Sequence, residues 1–213
     1  SHIRDGYSLI DKSADLSGFK ESISKVENEV EIYTKLVDSL ATDISAAILV
    51  REKMASYAKV YMDNCYEYLR NQQEQLTEEK EYSKISERSY KVSEASGIID
   101  LGNWTRMAVW KTLALRDPKY LDEALANFEV VNKKVAKLKP LTRREVTMKQ
   151  LEGILRAGED YRRGMVELRD RVQSVSANVQ KADEVASKVL EVAQEAAKFG
   201  MTQSDGVALD TTN

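Results

Sequence analysis

From Phe19 to Tyr68, apolar residues recur at alternating four- and three-residue intervals. The series reads Phe19, Ile23, Val26, Val30, Tyr33, Val37, Leu40, Ile44, Ala47, then Arg51, then Met54, Ala58, Tyr61, Cys65 and Tyr68. This is the spacing of one helical stripe facing a partner helix. No glycine or proline interrupts residues 19–96, so the pattern predicts one long helix that ends in the polar run 71–80. Thr77 is placed to cap a second helix from about Glu78 to Leu115. Gly97 and Gly102 weaken that helix by roughly 1 kcal/mol each relative to alanine. Arg116-Asp117-Pro118 is a stop, after which Asp117 reads as an N-cap and Pro118 as the first position of a third helix to about Leu138. Lys139-Pro140 ends it. Thr142, with Glu145 at the capping-box position, starts the last helix. Its stripe is the most regular of all: Leu151, Ile154, Gly158, Tyr161, Met165, Leu168, Val172, Val175, Val179, Ala182, Ala186, Val189, Ala193 and Ala196.

These elements predict an all-α, elongated antiparallel helical bundle in which two long helices bracket shorter ones. Two stacked four-helix modules sharing the long helices are one form it can take. Ser1-His2 reads as a tag scar, residues 3–200 as the helical domain, and 201–213 as a frayed tail without periodicity. Counting along antiparallel helices at ~1.5 Å per residue puts Arg51 near the level of Gly158 and Tyr161. The Val/Ala stripe from Val172 to Ala196 extends past the middle helices, which predicts a homodimer through the long helices.

Arg51 is the one charge in the first stripe. The second helix has its own in Ile99, Gly102, Arg106, Val109, Leu113. An arginine cannot shed its proton, so at a seam position it needs an anion or a polar partner. A small anion-binding site follows, with Arg106 as the main ligand. Asn103, one turn away, adds an amide to the fork, Arg51 assists, Trp110 and Tyr161 form walls, Tyr61 offers a hydroxyl, and Gly158 leaves space. Each has a plainer reading. Arg106 can pair with a glutamate, and Arg51, with Glu52 and Asp43 near, can snorkel to the surface. Trp110, Tyr61, Tyr57 and Tyr68 can be core, and Gly158 can serve a close helix crossing.

Composition removes other functions. With 32 basic and 35 acidic residues the net charge is −3, which leaves no basic surplus for nucleic acid. The only histidine is His2 and the only cysteine Cys65, so a zinc or haem site, or a histidine-based catalytic site, has almost nothing to use. Adjacent acidic pairs such as Glu78-Glu79 and Glu159-Asp160 do not face each other on a helix. No phosphate loop or nucleophile elbow occurs. The expectation is a protein that is not an enzyme, uses no cofactor, and binds a small organic anion. No apolar run approaches the ~18 residues of a membrane span, although a fragment cut from between two spans would read the same way.

The stretch Ile99-Asp100-Leu101-Gly102-Asn103-Trp104-Thr105-Arg106-Met107-Ala108-Val109-Trp110-Lys111, closing in Arg116-Asp117-Pro118, resembles the central helix of the helical bimodular sensor domains of bacterial methyl-accepting chemotaxis receptors. Thr142 through Gln150-Leu151, and Tyr161 to Met165, resemble the helix that follows in that family. Gly6-Tyr7 and Leu16 to Phe19 suit the segment after a first transmembrane span. The resemblance implies a periplasmic ligand-binding domain of an inner-membrane receptor. Such a domain senses small organic acids and signals by helix displacement to cytoplasmic partners. The sequence delimits four or five helices against six for the family. Lys25, where a second acid site would need a basic cluster, is followed by Glu27, Glu29 and Glu31. A histidine-kinase sensor domain and a structural coiled-coil adaptor without ligand are the competing readings.

Overall fold

A computed structural model of the chain describes residues 17–210. The expectations for Ser1-His2, and for the stretch up to residue 16, lie outside the described residues. The described chain is all helical. It comprises α1 (Ser17–Glu78), α2 (Tyr82–Leu115), α3 (Lys119–Leu138), a single 3-10 turn (Lys139–Leu141) and α4 (Glu145–Asp210). No strand occurs among the described residues. The chain divides into two compact units, Ile44–Ser174 and the paired segments Ser1–Asp43 with Val175–Asn213.

The unit Ile44–Ser174 contains parts of all four helices. The stripe on α4 is buried as its spacing requires: Leu151, Ile154, Ala157, Tyr161, Met165 and Leu168 are all at most 6% exposed. Met54, Ala58, Tyr61, Cys65 and Tyr68 of α1 meet it. Ile98 and Ile99 of α2, with Leu121, Phe128, Val131 and Val135 of α3, complete the core. Tyr61 is the wedge between helices. A Cβ at Gly102 of α2 would stand 2.7 Å from its Cε1, closer than atoms can approach, and one at Gly158 of α4 would stand 3.6 Å from its Cδ2. Its hydroxyl donates to the Ile98 carbonyl at 3.2 Å.

In the other unit, the described parts of α1 and α4 run antiparallel. The Phe199 ring lies against Gly18, Lys188 pairs with Glu29, and Asn178 reaches Ser39 Oγ at 3.3 Å and Asp43 Oδ2 at 3.4 Å. Two helical segments cover little of their stripes. Val30, Tyr33 and Val37 are 37–42% exposed, and Val179 37%.

Several local expectations are corrected. Thr77 does not cap α2, because its hydroxyl donates to Gln73 C=O inside α1 at 3.0 Å. The Glu79 carboxylate takes the Lys80 and Glu81 N–H groups instead. Thr142 forms no capping box. Its hydroxyl donates to Leu138 C=O at 2.8 Å and closes α3, so α4 begins at Glu145. The cap position before α3 is Pro118 rather than Asp117, and α3 starts at Lys119, although Asp117 Oδ1 still accepts the Lys119 N–H at 3.0 Å. α4 continues ten residues past Gly200 to Asp210, because extending an existing helix is cheap compared with nucleating one.

The two glycines of α2 separate packing from propensity. Gly102→Ala should lower unfolding stability by about 1–3 kcal/mol through overpacking against Tyr61. At Gly97 the obstacle is the flexible end of Lys134, 3.1 Å away. Gly97→Ala should therefore be neutral or stabilising by up to about 1 kcal/mol. Urea unfolding of both variants checks the contrast, and equal destabilisation would refute it.

Candidate functional site

A groove of about 290 Å³ opens on the unit Ile44–Ser174. α1 supplies Arg51, Met54, Ala58, Lys59, Met62 and Asp63; α2 supplies Arg106, Val109, Trp110 and Leu113; α4 supplies Tyr161. Four of the seven residues singled out from sequence thus share one site: Arg51, Arg106, Trp110 and Tyr161.

Neither arginine is in the seam. Arg51 and Arg106 are exposed, and the buried positions beside them are Val50 and Thr105. The physical reason is hydration. A guanidinium at a groove edge keeps its water, whereas a seam position would strip it without supplying an anion. Neither forms an ion pair or hydrogen bond with any described residue. The plainer reading of Arg106, an internal glutamate, is therefore not realised, whereas Arg51 does reach the surface, in line with its plainer reading, without pairing Glu52 or Asp43. The cations Arg51, Arg106 and Lys59 face one carboxylate, Asp63, which is engaged by Lys59 at 2.6 Å. The groove carries positive charge that the fold leaves unneutralised.

Trp110 is 64% exposed and forms a side wall rather than core. Tyr161 is 6% exposed and its ring packs edge-on against Phe128 at 6.1 Å. Burial pushes its phenol up to about 12, against the opposing pull of nearby Arg106. Tyr161 is neutral at physiological pH.

The other three residues stand outside the groove. Asn103 is half-buried on α2 and is not part of its lining. Tyr61 lines an adjacent void of about 10 Å³, and its hydroxyl is spent on Ile98. Gly158 is not part of the groove lining; it faces the Tyr61 ring, with which a Cβ there would make ordinary contact at 3.6 Å. The level assigned to Arg51 is also corrected. Gly158 faces Tyr61, ten positions along from Arg51 and about 15 Å at the helical rise. The long arginine side chain lets Arg51 share the groove with Tyr161 all the same. Sequence reading missed Met62, Ala58 and Val109 as the apolar floor. Ala58 and Val109 are members of the stripes themselves, and only Met62, next to Tyr61, stands at the edge of one.

Cys65 is buried and free, and desolvation pushes its thiol up to about 12. It is a packing residue and not a nucleophile. No group of acidic, histidine or cysteine side chains suited to a metal occurs among the described residues. No helix among them is long and apolar enough to cross a membrane. Comparison with protein-family models, with curated proteins and with solved structures finds no match.

Two outcomes follow for the ligand-free protein. Arg106→Ala should change stability by no more than about 0.5 kcal/mol, as for a surface substitution away from any bond. A larger drop in melting temperature would reveal a hidden internal partner. The second concerns alkali. The raised pKa values of Cys65 and Tyr161 mean that the folded chain holds protons which the unfolded chain loses near 9 and 10. Their contribution is complete below those values and disappears as pH rises towards about 12. Melting temperature should fall progressively above about pH 9, and a flat profile between pH 9 and 11 would contradict the burial of these groups.

Proposed function

We propose that this chain is the extracytoplasmic ligand-binding domain of a transmembrane chemoreceptor, holding a small carboxylate in the groove between α1, α2 and α4. The observation that supports this reading is the pair of arginines, Arg51 and Arg106, that line one groove without an ion pair of their own, its one carboxylate, Asp63, being held by Lys59. A carboxylate there accepts charge-assisted hydrogen bonds from one or both guanidinium groups, which are about twice as strong as neutral ones. Trp110 and Met62 cover its carbon skeleton, and the neutral Tyr161 phenol is available as a donor. The site recognises an anion and performs no chemistry on it. The groove draws on three helices, so a ligand that pulls Arg51 and Arg106 together shifts α1 against α2. That small displacement is the signal in this reading, and a periplasmic position on an inner-membrane receptor is its setting.

The receptor is a homodimer in this reading. The segments of α1 and α4 in the two-helix unit leave Val30, Tyr33, Val37 and Val179 uncovered. A second copy presenting the same two segments completes a four-helix module. An isologous contact of this kind uses one patch twice.

Calorimetry with acetate, succinate, malate and citrate tests the groove. At least one acid should bind, and Arg106→Ala should weaken it at least tenfold, since losing a charge-assisted contact typically costs about 2–5 kcal/mol. Unchanged affinity in Arg106→Ala would remove this site. Sedimentation tests the dimer. Val30→Lys with Val37→Lys should abolish self-association seen at high concentration with ligand, and a wild-type chain that stays monomeric under those conditions counts against it.

A further inference from the structure

The groove between α1, α2 and α4 is more apolar than its arginines suggest. Met54, Ala58 and Met62 of α1 and Val109 of α2 close its floor, each at most 8% exposed, and half-buried Leu113 adds to it. Trp110 forms a wall and is 64% exposed. An indole left this open to water gains by being covered, and its flat face favours another ring. The volume of about 290 Å³ sits at the small end of ligand sites, which run from about 300 to 1,000 Å³. It suits one ring with a short substituent rather than a long chain.

Tyr161 carries a separate observation. It is only 6% exposed, yet its hydroxyl bonds to no described residue and is not sealed from solvent. The surface that this buried phenol keeps therefore includes its polar tip. Tyr161 lines the groove close enough to Arg106 to feel its charge. A phenol that burial holds neutral is a donor, and beside a guanidinium it forms a receptor for one carboxylate. Arg106 and Trp110 are four residues apart on α2. At that spacing their Cβ atoms are about 5–6 Å apart on one helix face, a step that a benzene ring covers and an acetate methyl does not.

We propose that the groove selects a carboxylate carrying one aromatic ring, of the benzoate or phenylacetate kind, over aliphatic acids. This rests on the reading of the groove as a carboxylate site. The carboxylate takes Arg106 and the Tyr161 hydroxyl. The ring lies one turn along against Trp110, over the methionine thioethers, which favour aromatic neighbours. Arg51, on the opposite helix, supplies a cation for the face of the ring that Trp110 leaves open. Small aliphatic acids satisfy the cations but leave the indole wet.

Calorimetry with benzoate and phenylacetate, beside acetate, succinate, citrate and cyclohexanecarboxylate, tests this. At least one aromatic acid should bind saturably, about tenfold or more tighter than acetate, succinate or citrate and about threefold or more tighter than the saturated ring. Trp110→Ala, at an exposed position, should weaken the aromatic acid about tenfold and leave the ligand-free melting temperature unchanged. Trp104 lies outside the groove lining, and Trp104→Phe leaves Trp110 as the only tryptophan. The fluorescence of that variant should change saturably with the aromatic acid. Wild-type aromatic affinity in Trp110→Ala, or cyclohexanecarboxylate binding as tightly as benzoate, would overturn the aromatic class. Succinate or citrate binding while neither aromatic acid does would also overturn it and leave the carboxylate groove standing. Binding by no acid at all, or wild-type affinity in Arg106→Ala, would remove the groove itself.

Discussion

The Tyr61 ring sets the relations among helices on which the groove depends. Gly102 on α2 yields space to it, Gly158 on α4 lies beside it, and its hydroxyl is tied to the Ile98 carbonyl. A ring has little freedom once both faces are packed and its oxygen is bonded, so it fixes the spacing of three helices at one level. Met62 and Ala58, its neighbours on α1, then form the floor of the groove, and Arg106, one turn beyond Gly102, reaches its rim. The tyrosine contributes to the site by holding its walls apart rather than by touching a ligand. The same wedge makes Gly102, which weakens its helix locally, a requirement of the packing.

The long stripes were legible because they are redundant. Met54, Ala58, Tyr61, Cys65 and Tyr68 are all buried, as are Leu151, Ile154, Tyr161, Met165 and Leu168. One misplaced residue does not hide such a pattern. The capping signals misled because a single hydroxyl has several acceptors within reach. Thr77 and Thr142 both bond a carbonyl four residues back, and so end a helix rather than begin one. The arginines were read at seam positions because a 4-3 count cannot tell a seam from the edge one residue away. Val50 and Thr105 hold the interior places, and the edge position is what leaves the guanidinium groups hydrated and available. The 4-3 stripes carry Arg51, Arg106, Trp110 and Tyr161 to one site, but not the fact that Gly158 faces Tyr61. That depends on the register between α1 and α4, and the count along the helices missed it by ten positions.

A hollow beside the α4 start, lined by Lys84, Arg88, Lys91, Arg143 and Arg144, had a signal in the sequence that charge reading alone passed over. Lys84, Arg88 and Lys91 follow four- and three-residue spacing, so they share one face of α2. Arg143-Arg144 reads as an ordinary solvated pair until the helix boundary is known. With α4 beginning at Glu145, the pair stands just outside the first turn, where a positive side chain opposes the dipole instead of complementing it. Sequence position makes them surface residues, and the boundary makes them a charge cluster.

The two units use polar groups in opposite ways. In the two-helix unit the buried charges are answered within the chain: Glu29, 7% exposed, is held by Lys188, and Asp43, 8% exposed, accepts from Asn178. Such pairs contribute little net stability, yet breaking one strands the other, so they penalise a slipped register between two helices whose Val and Ala side chains would tolerate one. In the unit Ile44–Ser174 a packed four-helix core already fixes the register. Polar groups there are released from that task, and Arg51 and Arg106 line the groove without an ion pair. At the surface a guanidinium keeps its hydration, so leaving it unpaired costs the fold little. The core built around Tyr61 is what frees these side chains from fixing the register.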